Sequence, residues 1–92
     1  MIQSFADEET RQIFLKGKSR KFGSIARIAA RKLQAIDYAK KLDDLKIPLG
    51  NRLEKLRGQR EGQYSIRIND QYRVCFRWLD QDAWEVEVVD YH

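Results

Sequence analysis

Apolar and polar residues alternate with two different periods along this chain, one before Pro48 and one after it. Before Pro48, apolar residues recur every three or four positions, which is typical of an amphipathic helix. The recurring residues are Ile25, Ile28, Ala29, Leu33, Ile36 and Ala39. Beyond Pro48, apolar and polar residues alternate in runs that begin at Tyr64, Tyr72 and Trp84, as in strands with one buried face. The pattern predicts an α+β fold, with helices followed by a three-strand meander.

Two helices are predicted in the first half of the chain. Acidic residues open the first, over residues 7–16, and Gly17 is placed to end it in a left-handed conformation. Ser24 is the predicted N-cap of the second helix, and residues 42–49 add a helical turn before Pro48. Residues 2–5 form a short edge strand or tucked strand in this interpretation.

The register of the meander follows from its loops. A three-residue loop at 69–71 places Ile66 opposite Val74, whereas a two-residue loop would mismatch the two faces. A longer loop over 79–83 then pairs Trp78 with Trp84 and Val74 with Val88. Both loops keep the apolar residues on one face of the sheet.

This register collects arginines on the other face of the sheet. It places Arg67 opposite Arg73, and Arg77 opposite Glu85. Like charges that oppose each other destabilise a sheet, so the arrangement favours an anion site over a neutral surface. A solvated sheet face is the alternative, because long guanidinium side chains can extend into water. The candidate phosphate-binding residues are Arg57, Arg60, Arg67, Arg73 and Arg77.

Composition narrows the class of protein. Ninety-two residues suffice for one domain, and a net charge of +4 favours a polyanionic partner. One cysteine and one histidine provide neither an internal disulfide nor a zinc ligand set. No apolar run approaches the ~18 residues of a membrane span, and the first residues are acidic, unlike a signal peptide. We therefore expect a cytoplasmic protein with no metal and no membrane partner.

The chemistry of RNA cleavage fits the last residues of the chain. Cleavage without a metal needs a group that takes the 2′-hydroxyl proton, a cation for the developing charge, and a proton donor to the leaving oxygen. His92 follows the third strand, and a histidine side chain ordinarily titrates near neutrality, although a frayed terminal histidine is the alternative. Tyr91 is a candidate for base stacking, whereas Tyr64, Tyr72 and Trp78 are assigned to the core.

Other basic residues are concentrated in the helical half of the chain. They form either a solvated helix face or a second contact surface for a large polyanion. These residues are Lys16, Lys18, Arg20, Lys21, Arg27, Arg31 and Lys32. Gly58 and Gly62 flank a basic loop that lacks the spacing and the Lys-Ser/Thr ending of a nucleotide-binding P-loop.

The stretch GNRLEKLRGQREGQYSIRINDQYRVCFRW, with EVEVVDYH at the end, resembles the HigB subgroup of RelE-like bacterial toxins. The resemblance covers essentially the whole chain, residues 1–92, as a single toxin domain. It implies helices packed on one face of a twisted, mainly antiparallel sheet. It also implies a ribosome-dependent mRNA endonuclease that acts in the A site of the 70S ribosome, by 2′-hydroxyl attack and without a cofactor.

The resemblance implies partners as well. A HigA-type helix-turn-helix antitoxin would neutralise the toxin and repress the shared operon, so that operator DNA is contacted through the antitoxin. An alternative function is a non-catalytic RNA- or ribosome-binding protein that acts with its antitoxin in transcriptional autoregulation.

The resemblance also implies site residues, which are assigned by their positions in the matching stretch. Arg73 matches the arginine that contacts the scissile phosphate, and Asp90, Tyr91 and His92 match the terminal cluster needed for activity. His92 is the candidate general base or general acid. The chain departs from its relatives at three positions near the loop: Arg57 replaces a usual lysine, Gln59 a frequent aspartate, and Glu54 a histidine present in some relatives.

Overall fold

In the computed structural model, which describes Met1–Tyr91, two helices pack on one face of a four-stranded antiparallel sheet. The helices are α1 (Glu8–Lys16) and α2 (Ala26–Tyr38). The strands are β1 (Glu54–Lys55), β2 (Tyr64–Arg67), β3 (Tyr72–Leu79) and β4 (Asp82–Asp90), and they neighbour one another in chain order. Short 3₁₀ helices occupy Gly23–Ile25, Leu42–Lys46, Leu49–Asn51 and Gly58–Arg60. The predicted α+β class is confirmed.

Helix α1 begins and ends where its sequence predicts. The Asp7 carboxylate accepts a hydrogen bond of 2.7 Å from the Thr10 amide, which satisfies one of the free donors of the first turn. Gly17 ends the helix with φ 70°, and its amide donates to the Ile13 carbonyl. The Thr10 hydroxyl in turn accepts from the Val88 amide and joins α1 to β4.

Helix α2 differs from its prediction at the start. Ser24 lies inside the 3₁₀ turn, and Ile25 occupies the N-cap position without a side-chain hydrogen bond, so the predicted Ser24 cap is wrong. Ile28 is 41% exposed, although it falls in the apolar period of the helix. Leu33 and Ile36 are fully buried and carry the contact with the sheet.

The core lies between the two helices and one face of the sheet. Its members include Ile13, Ala29, Leu33, Ile36, Ile66, Val74, Phe76, Val86 and Val88. Residues near the N-terminus run parallel to β4, with single bridges from Ile2 to Ala83 and from Phe5 to Val86 in place of the predicted strand. Among residues 1–91, no helix is long and apolar enough to cross a membrane.

The pairing of β2 with β3 is the one that the alternation predicts. Ile66 lies opposite Val74, and Arg67 lies opposite Arg73. The Ile68 amide donates to the Tyr72 carbonyl at 2.9 Å and closes the three-residue loop. The face of the sheet that carries the arginines is therefore set by this hairpin.

The pairing of β3 with β4 differs from the prediction. The turn has two residues, Asp80 and Gln81, with φ 50° and 70°, so Trp78 pairs with Ala83 and not with Trp84. A bulge at Glu85, with φ 52°, then restores the pairing of Val74 with Val88. Trp84 is consequently 39% exposed, while Ala83 is fully buried. The predicted core position of Trp84 and its pairing with Trp78 are wrong.

Candidate functional site

Arg67, Arg73 and Arg77 lie on the face of the sheet away from the helices, and Arg57 and Arg60 lie on the loop between β1 and β2. Ser65 and Cys75 are opposite each other on β2 and β3, and both are fully buried on this face. A loop over residues 56–63 covers them; its ends are joined by the hydrogen bond from the Leu56 amide to the Gln63 carbonyl. The site is thus a floor of two small side chains surrounded by guanidinium groups.

Arg73 is the most enclosed of these arginines, with a side chain that is 12% exposed. Its guanidinium donates to the Ser65 hydroxyl at 2.6 Å, to the Arg52 carbonyl at 3.4 Å and to a Glu54 carboxylate oxygen at 3.1 Å. The Tyr91 ring centroid lies 5.7 Å from the guanidinium carbon, within the range of a cation–π contact. Partners in several directions fix the plane of the guanidinium group.

Arg60 extends from the covering loop across β3. It donates to the Gln63 side chain at 3.1 Å and to the Glu87 carboxylate on β4 at 3.3 Å. Its side chain is 30% exposed, so the ion pair is partly shielded from water. The contact holds the loop 56–63 against the sheet, above Cys75.

Two further arginines pair with carboxylates close to them in the sheet. Arg67 pairs with Asp70 of the β2–β3 loop. Arg77 forms an ion pair with Glu85, but the predicted register is wrong, because Trp84 is the residue opposite Arg77 in the ladder. A Cβ atom at Gly62 would lie 2.8 Å from the Arg77 guanidinium, so the loop passes close to this arginine.

Arg57 differs from the other four arginines. It is exposed and forms no ion pair with any residue in Met1–Tyr91. Together with Lys55, Leu56, Glu61 and Gly62 it lines a shallow groove beside β1. Its guanidinium group is accessible to an anion without the loss of a carboxylate partner.

Burial raises the pKa of the Cys75 thiol to about 11. The Glu87 carboxylate adds to this increase, and the nearby Arg60 and Arg73 act in the opposite direction. The thiol is therefore neutral near pH 7, and Cys75 serves as part of the floor of the site.

The end of β4 is attached to the β2–β3 hairpin. The Tyr91 amide donates to the Gln71 carbonyl at 2.6 Å, and the Asp90 carboxylate accepts from the Gln71 side chain at 3.1 Å. Tyr91 is 41% exposed and lies over Arg73, so two of the predicted site residues are brought together. The predicted catalytic residue His92 lies outside the described residues.

Three contacts of Arg73 were not among the predicted site residues. Ser65 lies two positions before Arg67 on β2, so the strand period already places it on the arginine face. Nothing in the sequence pattern joins Glu54 or Arg52 to Arg73, because both are about twenty residues away along the chain. For residues 1–91, no group of three or more His, Cys, Asp or Glu side chains is arranged to hold a metal ion.

The fold belongs to a class seen in bacterial toxins. The YoeB–YefM complex from Staphylococcus aureus contains a chain that superposes on this one with a TM-score of 0.62 at 20% sequence identity, covering 100% of this chain and 98% of that one. A second structure, a heterotetrameric YoeB–YefM toxin–antitoxin complex from the same organism, gives the same TM-score and identity. At this identity the likeness shows the fold alone, which is that of RelE-like toxins.

Sequence comparison defines the family within this class. A family model described as the RelE-like toxin of the type II toxin–antitoxin system HigB matches residues 3–92. Toxin HigB-1 of Vibrio cholerae serotype O1 is 40% identical over 82 residues, which cover 87% of this chain and 86% of that protein. Endoribonuclease HigB of Proteus vulgaris is 34% identical over the whole length of both chains. The chain belongs to the HigB-like toxin family, which confirms the resemblance seen in the sequence.

Proposed function

We propose that this chain is an endoribonuclease toxin that cuts mRNA in the A site of the 70S ribosome. One observation carries the proposal: Arg73 is oriented on the sheet by Ser65, Glu54 and the Arg52 carbonyl, with the Tyr91 ring against it. Full-length similarity to an enzyme named Endoribonuclease HigB supports the RNA substrate. Cleavage by 2′-hydroxyl attack without a metal cofactor follows the family resemblance.

Arg73 has the role of binding the scissile phosphate. Attack of the 2′-oxygen forms a bond to phosphorus and breaks the bond to the 5′-oxygen, leaving a 2′,3′-cyclic phosphate and a 5′-hydroxyl. Negative charge accumulates on the phosphate oxygens in the transition state, and a planar, permanently charged guanidinium group stabilises it. Glu54 accepts a hydrogen bond from Nη2 of Arg73, so its carboxylate competes with a phosphate oxygen that approaches this nitrogen.

The terminal residues have the role of moving protons. His92 is the proposed general base for the 2′-hydroxyl or general acid for the leaving 5′-oxygen, because imidazole titrates near neutral pH. Tyr91 offers an exposed ring for a neighbouring base, and Asp90 secures the end of β4 through Gln71. Arg57, Arg60, Arg67 and Arg77 are the proposed contacts to flanking phosphates.

A HigA-type helix-turn-helix antitoxin is the proposed protein partner. The family is defined by toxins of type II toxin–antitoxin systems, and the two YoeB chains were solved in complex with YefM. Repression of the shared operon, with operator DNA contacted through the antitoxin, is part of this proposal.

Primer extension on transcripts from cells that briefly express the chain tests the proposal. Arg73→Ala and His92→Gln should each abolish the cleavage products and relieve growth arrest. Arg11→Ala is the matched control, because Arg11 is exposed on α1 and forms an ion pair with Glu8 on the same helix; it should cut like the wild type. Full cleavage by both site variants would refute the proposal. Wild-type protein that binds ribosomes or antitoxin but leaves messages uncut would indicate the non-catalytic alternative.

A further inference from the structure

A second pair of arginine and aromatic side chains lies on the arginine face of the sheet, at some distance from Arg73 and Tyr91. Arg77 and Trp84 are opposite each other in the β3–β4 ladder, so their side chains leave the sheet on the same side. Trp84 is 39% exposed, close to the 41% of Tyr91. Arg77 follows Arg73 by four positions on β3, which is about 13 Å along the strand. The face therefore carries the combination of an arginine and an exposed ring twice.

The ring of Trp84 is not used inside the protein as the other tryptophan is. Trp78 packs edge-on against Phe76, with 6.4 Å between the ring centroids, and contacts the core. For the residues from Met1 to Tyr91, Trp84 takes part in no ring–ring contact and no cation–π contact. Its exposed ring surface is available to a planar ligand.

The backbone places Trp84 on this face through two departures from regular pairing. The two-residue turn at Asp80 and Gln81 shifts the register by one residue, and Glu85 forms a bulge with φ 52°. A residue other than glycine is strained at such an angle, and bulges next to functional sites redirect side chains. The Glu85 amide donates to the Ser4 hydroxyl at 2.9 Å, which holds the bulge in place. The position of the ring is thus fixed before a ligand binds.

The surroundings of the ring favour single-stranded RNA as its ligand. Three guanidinium groups follow one another along β3, from Arg73 past Arg60 to Arg77. Asp80 and Asp82 lie beyond them at the β3–β4 turn, where their carboxylates repel a phosphate chain. Proteins bind single strands by combining cations for the phosphates with rings on which bases stack. The carboxylate partners of the arginines do not weaken this stacking, because it does not depend on net charge.

We propose that Trp84 forms a subsite for one nucleobase of single-stranded RNA, a few nucleotides from the scissile phosphate. The proposal rests on the proposed function for its RNA substrate, but not for the cleavage step. The base stacks on the indole ring, and Arg77 lies beside it for the adjoining phosphate. Every base has a flat face, so this subsite requires a base but does not select one.

The test measures binding of the full chain to fluorescent single-stranded 2′-O-methyl RNA, which lacks the nucleophilic hydroxyl and is not cut. A series of these strands contains a single abasic nucleotide, which is moved one position at a time. Trp84→Leu keeps an apolar side chain but removes the ring, and Trp84→Phe keeps a smaller ring. Tyr38→Leu is the matched control, because Tyr38 is an aromatic residue on α2 that is 78% exposed.

Trp84→Leu should bind the intact strand at least about fivefold more weakly, with an unchanged slope of log K against log salt. Trp84→Phe should stay within about threefold of the wild type, and Tyr38→Leu within about twofold. One abasic position should weaken binding by the wild type as much as Trp84→Leu does, and should cost that variant nothing more. Exchanging the base at this position should change binding by the wild type less than about threefold.

Three results would overturn the inference. The first is equal binding by Trp84→Leu and the wild type, and the second is a wild type that binds no RNA even at low salt. The third is a loss in Trp84→Leu that is the same for the intact strand and for every abasic strand. That pattern, with a lowered melting temperature, would assign the ring a structural role.

Failure of this test is distinguishable from failure of the cleavage test. Uncuttable RNA reports binding whether or not the chain is a nuclease. A chain that does not cut still shows the abasic position if Trp84 stacks on a base. A chain in which Trp84 binds nothing still cuts if Arg73 and His92 perform the reaction.

Discussion

The two clusters of positive charge in this toxin are built differently. On the sheet, Arg60, Arg67, Arg73 and Arg77 each pair with a carboxylate: Glu87, Asp70, Glu54 and Glu85 respectively. Around the connector between α1 and α2, residues 17–25, six exposed cations form no ion pair with any residue up to Tyr91: Lys16, Lys18, Arg20, Lys21, Arg27 and Arg31. Similar side chains are thus held by partners in one region and left to the solvent in the other.

This difference assigns different tasks to the two regions. A guanidinium group held by several partners has a fixed orientation, as a catalytic cation needs, but its field is reduced by the neighbouring carboxylate. Unpaired cations have no fixed orientation, yet their field extends over about a Debye length, roughly 8–10 Å at physiological salt. The sheet face is suited to positioning a phosphate, whereas the cations around the connector act mainly through a field of longer range.

The largest effect should come from replacing the oriented guanidinium without removing its charge. Arg73→Lys keeps a cation but cannot reach Ser65, Glu54 and the Arg52 carbonyl together, so cleavage should fall by roughly 10²-fold. Arg67→Lys, at an arginine that pairs with the exposed Asp70 carboxylate, should stay within about threefold of the wild type. Single-turnover cleavage on programmed ribosomes measures both. Equal losses would show that orientation is not what distinguishes Arg73.

A buried thiol under the arginine face should make stability depend on pH. The pKa of Cys75 is raised from 9.0 to about 11, so the folded state holds the thiol proton more tightly than the unfolded state does. The resulting contribution to the free energy of unfolding is complete below pH 9. It is lost as pH rises through 11; by about pH 10.5 the loss should reach about 2 kcal/mol. Urea unfolding of the wild type and of Cys75→Ala at pH 8 and 10.5 checks this. Parallel pH dependence in the two proteins would contradict it.

Two glycines offer a matched comparison between the regions. Gly62 and Gly23 both have positive φ, 90° and 56°, so alanine at either position should cost about 1–2 kcal/mol of stability. Only at Gly62 would the new Cβ meet another side chain, the Arg77 guanidinium at 2.8 Å. Gly62→Ala should therefore also reduce RNA cleavage, by a few-fold, whereas Gly23→Ala should not. A comparable cleavage loss in Gly23→Ala would trace the effect to stability alone.

The sequence predicted the arginine face because one local rule controls it. Alternation and a three-residue loop together determine the β2–β3 register, and this places Arg67 opposite Arg73. The β3–β4 hairpin was mispredicted because it contains two departures from the expected pairing that cancel each other. The short turn at Asp80 and Gln81 shifts the register by one residue, and the bulge at Glu85 shifts it back. A pattern of alternating residues cannot reveal such a pair of shifts.

The pairing of the arginines was only partly predictable. Arg77 and Glu85 lie on one hairpin, so the sequence placed them near each other, although the register that it used is wrong. The contacts of Arg60 with Glu87 and of Arg73 with Glu54 span 27 and 19 residues, and they depend on how the loop 56–63 and β1 lie against the sheet. Those placements are tertiary, and no periodicity encodes them.

The smallest expected effect concerns Glu54, whose carboxylate forms an ion pair with Arg73. Glu54 is 53% exposed and lies 3.1 Å from Nη2, so its negative charge competes with an incoming phosphate. Glu54→Gln keeps a hydrogen-bond acceptor but removes that charge, and should tighten binding of single-stranded 2′-O-methyl RNA by about two- to fivefold. Asp70→Asn, beside Arg67, is the matched control and should change binding less. Weaker binding by Glu54→Gln would mean that the carboxylate orients Arg73 more than it competes, and the carboxylates of this face would then support phosphate binding.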